Sequence, residues 1–384
     1  MSITRTMKQG IFPIALMIAL FVPGYASALT AERPVAQLDY ALQHLPLSAL
    51  AGQAPDPIRF VNVGATMKLA GDKIDEDMAS RLALTADLPP LAALAHGTPA
   101  TFEEKSGIRL ADVGYLASVR TASGDVSLWG LQSEAAAGNL MRALRDNGFK
   151  DIGQDMIANG EPGQMDLTAS DPANPWRGMT GQSYVVGAQG QIIFQAPALD
   201  TALAVNEVKP EASAGQSPML RIALDGINAQ AVPAKLIQAL VIGPDLSQSS
   251  DVLRAFTDEK IDQDALRAQL ETAMAKEMPG LPVFFTGIIA DLQKPGGPAL
   301  MISLAYPDCA IAQRATDHML KSWTEQTTGV VSTVTSGAIV QTGDGCAAVL
   351  TADAEETGST RNPPFTFALS AMMRRDLSLL RIGR

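Results

Sequence analysis

The sequence predicts an α+β protein built from two similar units, each a mainly antiparallel sheet with helices packed on one face. The first observation is composition. Of 384 residues, 47% are hydrophobic and 18% charged, which suits a buried core and is too little charge for a disordered chain. The second is a series of short apolar segments joined by tight turns, the pattern of antiparallel hairpins. The third is their order, because strand–turn–strand–helix–strand–strand occurs twice along the chain.

The first unit contains a hairpin followed by a helix. Strands over Leu116–Arg120 and Val126–Leu131 are separated by the turn Ser123-Gly124-Asp125. Ser133 then supplies an N-cap for a helix that ends near Gly148. The other elements predicted for this part are strands over Ser183–Val186 and Gln191–Phe194 and a helix over Leu199–Val205, with a helix over Val35–Leu50, a strand over Ile58–Val63 and a helix beginning at Asp75 before the hairpin.

The second unit repeats this order. A buried strand over Val283–Ile289 precedes the turn Lys294-Pro295-Gly296-Gly297, and a strand over Ala299–Leu304 pairs back with it. Asp308 is placed to cap a helix that runs through Trp323. The other elements predicted here are strands over Val330–Thr335, Ala338–Gln341 and Ala347–Thr351 and a final helix from about Phe367, preceded by a strand over Met219–Leu224, a helix over Ala234–Leu240 and a helix over Asp262–Glu277.

Residues 1–28 show the three-part pattern of a secretory signal peptide. Arg5 and Lys8 form a basic start, and the apolar run Ile11–Val22 follows. Ala26-Ser27-Ala28 then provides the small residues of a cleavage site. The apolar run is too short to cross about 30 Å of hydrocarbon comfortably, so an uncleaved anchor is the less favoured alternative. We therefore expect a soluble mature chain in the bacterial periplasm, with secretion beyond it as the alternative.

A polar segment, residues 207–218, predicts a linker between two domains. It contains two prolines with serine and glycine between them, and it has too few apolar residues to be ordered by burial. The predicted domains on either side are residues 29–206 and residues 219–384, and both have an ordinary domain size.

The two cysteines predict one disulfide in the second domain. Cys309 and Cys346 are the only cysteines, and an even number in an oxidising compartment favours pairing. A bridge between them would close a loop of about 37 residues and stabilise the fold by about 3–4 kcal/mol on the chain-entropy model. Two free buried thiols are the alternative.

Charge and missing motifs argue against several classes of function. The chain has 29 basic and 40 acidic residues, a net charge of −11, so it repels the phosphates of nucleic acids. Its three histidines have no metal-ligand spacing, and no Cys-X-X-Cys or glycine-rich phosphate loop occurs. We therefore expect no metal, no cofactor, no nucleic-acid partner and no membrane segment after cleavage.

Two candidates for a site remain. Trp176 and Arg177 lie in a loop rich in proline and glycine, and these two residue types are enriched at binding hot spots. A surface loop held in place by a half-buried tryptophan is the alternative. His318, next to Asp317 on the helix that Asp308 caps, is the candidate for a catalytic base because its imidazole can act as a general base, with acidic residues from another element as its partners.

These features predict an exported cell-envelope protein that acts as a binding or protein-interaction module, with an envelope protein or a small ligand as its partner. The alternative is an envelope hydrolase with a carboxylate- or His-centred site that no motif reveals. A deep pocket that contains His318 or two facing carboxylates would favour the enzyme. A shallow surface that presents Trp176 and Arg177 would favour the binding module.

Overall fold

The computed structural model describes residues 33–50, 56–71, 76–82, 88–121, 124–243, 280–343, 345–355, 360–374 and 378–381. The pattern of contacts separates residues 1–32 from Arg33–Arg384, and the architecture below belongs to the second of these units. The predicted signal peptide, residues 1–28, and the predicted helix over residues 262–277 lie outside the described residues.

The described strands form one antiparallel sheet of twelve strands. In chain order they are β1 Ile58–Val61, β2 Val113–Thr121, β3 Gly124–Leu131, β4 Lys150–Gly153, β5 Met156–Ala158, β6 Val185–Gln189, β7 Ile192–Ala196, β8 Lys235–Ile242, β9 Gly287–Lys294, β10 Gly297–Tyr306, β11 Thr333–Thr342 and β12 Gly345–Ala354. Across the sheet their order is β11-β12-β10-β9-β8-β1-β2-β3-β7-β6-β5-β4. The predicted combination of helices with an antiparallel sheet is therefore confirmed.

The described helices are α1 Ala36–Leu42, α2 Val63–Ala70, α3 Glu76–Arg81, α4 Pro89–Ala95, α5 Pro99–Ser106, α6 Glu134–Asp146, α7 Leu199–Asn206, α8 Pro218–Ala231, α9 Cys309–Thr327 and α10 Pro363–Met373. Two of them begin at the predicted caps. The Ser133 hydroxyl accepts the backbone N–H of Ala136, and the Asp308 carboxylate accepts those of Ala310 and Ile311. These contacts satisfy N–H groups that have no partner inside a helix.

Helices pack on both faces of the sheet, so the prediction of helices on one face is wrong. In β10, Ala299 and Met301 pack in a core with α1, α7 and α8. The alternate residues Leu300 and Ile302 pack in another core with α9 and α10. On that second face, α2, α4, α5 and α6 cover the strands at the other end of the sheet. The strands β9, β10 and β12 show no alternation of buried and exposed residues, because helices cover both of their faces.

Two neighbouring elements near the middle of the chain have the opposite type from the predicted one. The predicted strand over Met219–Leu224 lies within α8, which begins with Ser217 as N-cap and Pro218 in the first turn. The predicted helix over Ala234–Leu240 overlaps strand β8. Since β8 is buried from its second residue onward, it shows no alternation, and a short apolar run of this kind does not distinguish strand from helix.

The sheet continues across the predicted domain boundary. Strand β1 pairs with β8, and Arg59 lies opposite Leu240. The predicted linker forms two short 3-10 turns, Pro210–Ala212 and Ala214–Gln216, and the backbone N–H of Ala214 donates to the Leu45 carbonyl at 2.8 Å. Outward from the β1–β8 pair, the strands follow the order β1-β2-β3-β7-β6 on one side and β8-β9-β10-β12-β11 on the other. A repeat of two similar units is not confirmed, and it stays a prediction together with the two domains.

The disulfide joins a helix to the sheet. Cys309, the first residue of α9, is bonded to Cys346 in β12, with a Cα–Cα distance of 5.1 Å. The described residues contain no free cysteine. Because 37 positions separate the two residues, the bond restricts the unfolded chain over a long loop.

Replacing both cysteines by serine is expected to lower the free energy of unfolding by about 3–4 kcal/mol, the loop-closure entropy that the bond removes from the unfolded chain. Urea unfolding of the Cys309→Ser/Cys346→Ser variant measures this, with the wild-type chain in the absence of reductant as the control. A variant that unfolds at the wild-type midpoint would show that the bond does not stabilise the fold.

Candidate functional site

A row of polar side chains crosses four adjacent strands of the sheet. Arg59 in β1 pairs with Ser118 in β2, Ser118 with Ser127 in β3, and Ser127 with Gln195 in β7. Directly paired residues lie on the same face of a sheet, so the four side chains share one face. The next row on that face is entirely apolar and consists of the core residues Val61, Leu116, Trp129 and Ile193. The polar row therefore marks where this part of the core ends.

On the opposite side of the polar row, the next row is charged. Arg120 in β2 lies opposite Asp125 in β3, and its Nε donates to Asp125 Oδ1 at 2.8 Å. The same guanidinium contacts the Asp56 carboxylate, with Nη1 2.6 Å from Oδ2. One arginine thus lies between two carboxylates. Together with Arg59, the described lining of the site contains two positive and two negative side chains, and their formal charges cancel.

These two rows line a pocket of about 270 Å³, which we call the Arg120 pocket. Residues from the start of α4 and from the segment before β6 complete it. The full lining is Asp56, Pro57, Arg59, Leu88, Pro89, Ser118, Val119, Arg120, Asp125, Ser127, Gln182, Tyr184, Gln195 and Pro197. None of these residues was predicted as a site from the sequence.

Two serine hydroxyls line the pocket without a hydrogen-bond partner among the described residues. Ser118 is 8% exposed and Ser127 is 6% exposed. Neither hydroxyl oxygen is among the fully enclosed polar atoms that lack a partner, so both are open to the pocket. Both hydroxyls are therefore in position to bond to a molecule in the pocket. Each can donate one hydrogen bond and accept others.

Tyr184 and Gln195 give the pocket its remaining polar surface. Burial, and then the negative charge of Asp125, raise the pKa of Tyr184 to about 12, so its hydroxyl stays protonated at neutral pH. Both the oxygen and the nitrogen of the Gln195 side-chain amide are hydrogen-bonded. Its Oε1 accepts the indole N–H of Trp129 at 3.0 Å, and its Nε2 donates to the Pro175 carbonyl at 2.8 Å.

Trp176 is a core residue of the loop next to this pocket. Its side chain is 2% exposed, and its ring stacks on Trp129 with the centroids 4.7 Å apart. Its indole N–H donates to the Ser106 carbonyl at 3.0 Å. Arg177 is half-buried and donates from Nη2 to the Asn159 carbonyl at 2.7 Å. The structure therefore does not show a shallow surface that presents both side chains, because the tryptophan ring is used in packing. A binding role for Arg177 stays a prediction.

His318 lies half-buried on α9, which packs on β10, β11 and β12. It is not among the residues that line the Arg120 pocket, which is built on β1, β2, β3 and β7. The structure thus does not bring this histidine together with the two carboxylates of the pocket. Its role as a catalytic base stays a prediction.

The pair of carboxylates in the Arg120 pocket fits binding better than acid–base catalysis. A glycosidase pair needs one carboxyl group that carries a proton and donates it to the leaving group. Here Asp56 and Asp125 both contact the guanidinium of Arg120, so the geometry does not single out one of them as the proton donor. Within the described ranges, no three His, Cys, Asp or Glu side chains are placed to hold a metal ion. In the same ranges, no helix has both the length and the apolar character needed to span a bilayer.

No protein-family model matches the chain, and no curated protein sequence matches it significantly. Among solved structures, the chain is similar to one described as crystal form III of TP0453. The likeness covers 81% of this chain and 94% of that one, with 9% sequence identity and a TM-score of 0.30.

Proposed function

We propose that the chain is an exported binding protein of the bacterial cell envelope and that the Arg120 pocket holds a neutral, hydroxyl-rich small molecule such as a monosaccharide. The observation that carries this proposal is the pair of serine hydroxyls, Ser118 and Ser127, that line the pocket beside a group of arginines and aspartates whose formal charges balance among the described residues. The signal-peptide pattern of residues 1–28 supports export, and the Cys309–Cys346 disulfide is compatible with an oxidising compartment.

The charge balance favours an uncharged ligand. Among the described lining residues, Asp56 and Asp125 balance the formal charges of Arg59 and Arg120, so a phosphate or carboxylate would add a negative charge to a partly buried site. An alcohol group avoids this cost, because it donates to a carboxylate and accepts from a guanidinium or a serine. The volume of about 270 Å³ lies slightly below the usual range of small-molecule sites, which favours a compact ligand.

Removal of the two serine hydroxyls is expected to weaken binding of the sugar by about 10- to 100-fold, since each neutral hydrogen bond contributes about 1 kcal/mol. Isothermal titration calorimetry of the full chain with glucose, galactose and mannose measures this for wild type and for Ser118→Ala/Ser127→Ala. Ser336→Ala, an exposed serine in β11, is the matched control and should bind as wild type does.

Charged sugars test whether the ligand is uncharged, and product analysis distinguishes a binding protein from a hydrolase. Glucose 6-phosphate and galacturonate are expected to bind at least tenfold more weakly than the uncharged sugars, because their charge is not compensated. Binding of the charged sugars alone, or of none of the sugars, would contradict the proposed ligand class. An oligosaccharide recovered intact after incubation supports a binding protein, whereas its cleavage would favour the envelope hydrolase.

A further inference from the structure

The two edges of the sheet differ in how they are protected. Strand β4, at one edge, has four residues, two of which are the charged Lys150 and Asp151. Its pairing with β5 is irregular between Asp151 and Gly153. Short length, charge and irregular register are the usual features that prevent an edge strand from pairing with another chain. The β4 edge therefore has the features of a strand that stays unpaired.

Strand β11, at the opposite edge, has none of these features. It is ten residues long, it pairs with β12 in continuous register, and its sequence TVTSGAIVQT contains no charged residue and no proline. Among the described strands, β12 is its only partner. Val334 on this strand is 61% exposed. A long uncharged edge strand presents a row of backbone N–H and C=O groups that can pair with another extended strand.

We propose that β11 pairs with β11 of a second copy of this chain, antiparallel and about a twofold axis, so that the two sheets become continuous. All neighbouring strands within the sheet are antiparallel, so this pairing extends the existing geometry. Because β11 contains no charged side chain, no register places like charges opposite each other on the two strands. Twofold pairing of identical surfaces is the commonest way in which soluble chains associate.

The chain as a whole is acidic, so two copies could repel each other. The helix beside this edge does not add to that repulsion, because its exposed charges are of both signs. Helix α9 packs on β11, and its exposed residues carry both signs of charge: Arg314, Asp317, Lys321 and Glu325. Two copies that meet here do not present a surface of one sign only. The surface is also separate from the Arg120 pocket, which is built on β1, β2, β3 and β7. The proposal therefore does not depend on the proposed ligand.

Sedimentation equilibrium of the full chain tests this pairing. The wild-type chain is expected to form a dimer, and Val334→Lys to raise the dimer dissociation constant at least tenfold, since it places a charge on each copy of the edge. Ser336→Lys, at a second exposed position of β11, should act in the same direction. The matched control is Val330→Lys, which is 68% exposed but precedes the strand, and it should dimerise as wild type does.

Hydrogen exchange identifies the surface that pairs. The backbone N–H groups of β11 should exchange more slowly as the wild-type concentration rises, and this dependence should be absent in Val334→Lys. A wild-type chain that is monomeric at all concentrations would overturn the proposal, and so would two lysine variants that dimerise as wild type does. A monomer that instead binds extended peptides of other proteins would assign the edge to a foreign strand and overturn self-pairing.

Discussion

Replacing Asp291 by alanine is expected to lower the free energy of unfolding by about 3–5 kcal/mol, because the variant leaves Arg81 as a buried charge without its counter-ion. Both side chains are fully buried. Arg81 in α3 donates from Nε to Asp291 Oδ2 at 2.8 Å, and its Nη2 contacts the other carboxylate oxygen. An arginine–carboxylate pair with two parallel contacts is strong and directional.

The surrounding hydrogen bonds connect this ion pair to several elements. Gln238 in β8 donates to Asp291 at 2.9 Å, and Asn362, the N-cap of α10, donates to it at 2.6 Å. Arg81 also donates to the Thr360 carbonyl at 2.9 Å. Loss of Asp291 thus removes partners from groups in α3, β8 and α10 at once. Gln238 and Asn362 each keep a backbone acceptor, so the main cost is the buried charge of Arg81, which keeps only neutral acceptors among its described partners.

Urea unfolding of Asp291→Ala against Asp151→Ala provides a matched comparison. Asp151 is also an aspartate on a strand paired with an arginine on a helix, Arg145, but 70% of its side chain is exposed. We expect that variant to lose less than about 1 kcal/mol. The double variant Arg81→Met/Asp291→Leu should recover most of the stability lost in Asp291→Ala, because no buried charge remains. Equal effects of Asp291→Ala and Asp151→Ala would contradict this account.

Replacing Trp176 by alanine is expected to lower the free energy of unfolding by about 3–5 kcal/mol, the range for a large aromatic side chain removed from a core. The variant removes the stack on Trp129 and an edge contact with Phe149, whose ring centroid is 6.1 Å away. It also leaves the buried Ser106 carbonyl without the indole N–H. The loop that carries Pro175, and with it the hydrogen bond to Gln195, then loses its main attachment to the core.

The variant Trp176→Phe separates packing from hydrogen bonding. It keeps an aromatic ring against Trp129 but has no N–H, so its expected loss is about 1–2 kcal/mol, measured by urea unfolding beside Trp176→Ala. Sugar binding should be retained in Trp176→Phe, because the Arg120 pocket does not include this residue. Loss of binding at unchanged stability would instead show that Trp176 contacts the ligand, as the sequence analysis expected.

The sequence identified most local elements near the correct residues. The caps at Ser133 and Asp308 and the turn that starts at Lys294 were predictable, because each depends on hydrogen bonds or backbone conformations within a few residues. It did not identify the type of α8 or β8, since both are largely apolar segments whose structure depends on the layers that cover them.

The residues of the Arg120 pocket are visible in the sequence as polar positions within strands, but these positions by themselves do not show that they form one site. Arg59, Ser118, Ser127 and Gln195 each interrupt the apolar character of a strand, two positions from a core residue on the same face. Four separate interruptions become one polar row only when the strand order and the register are known. Both are set by contacts between residues far apart in the chain, which no local pattern encodes.

The sequence by itself determined the α+β composition, the positions of most elements and the pairing of two lone cysteines, because these follow from composition, short-range hydrogen bonds and a count. Only the tertiary structure decided that one sheet spans both halves, that helices cover both of its faces, that Arg81 meets Asp291 and that Trp176 is buried. These features depend on which distant segments exclude water from each other, and that is settled only when the whole chain packs.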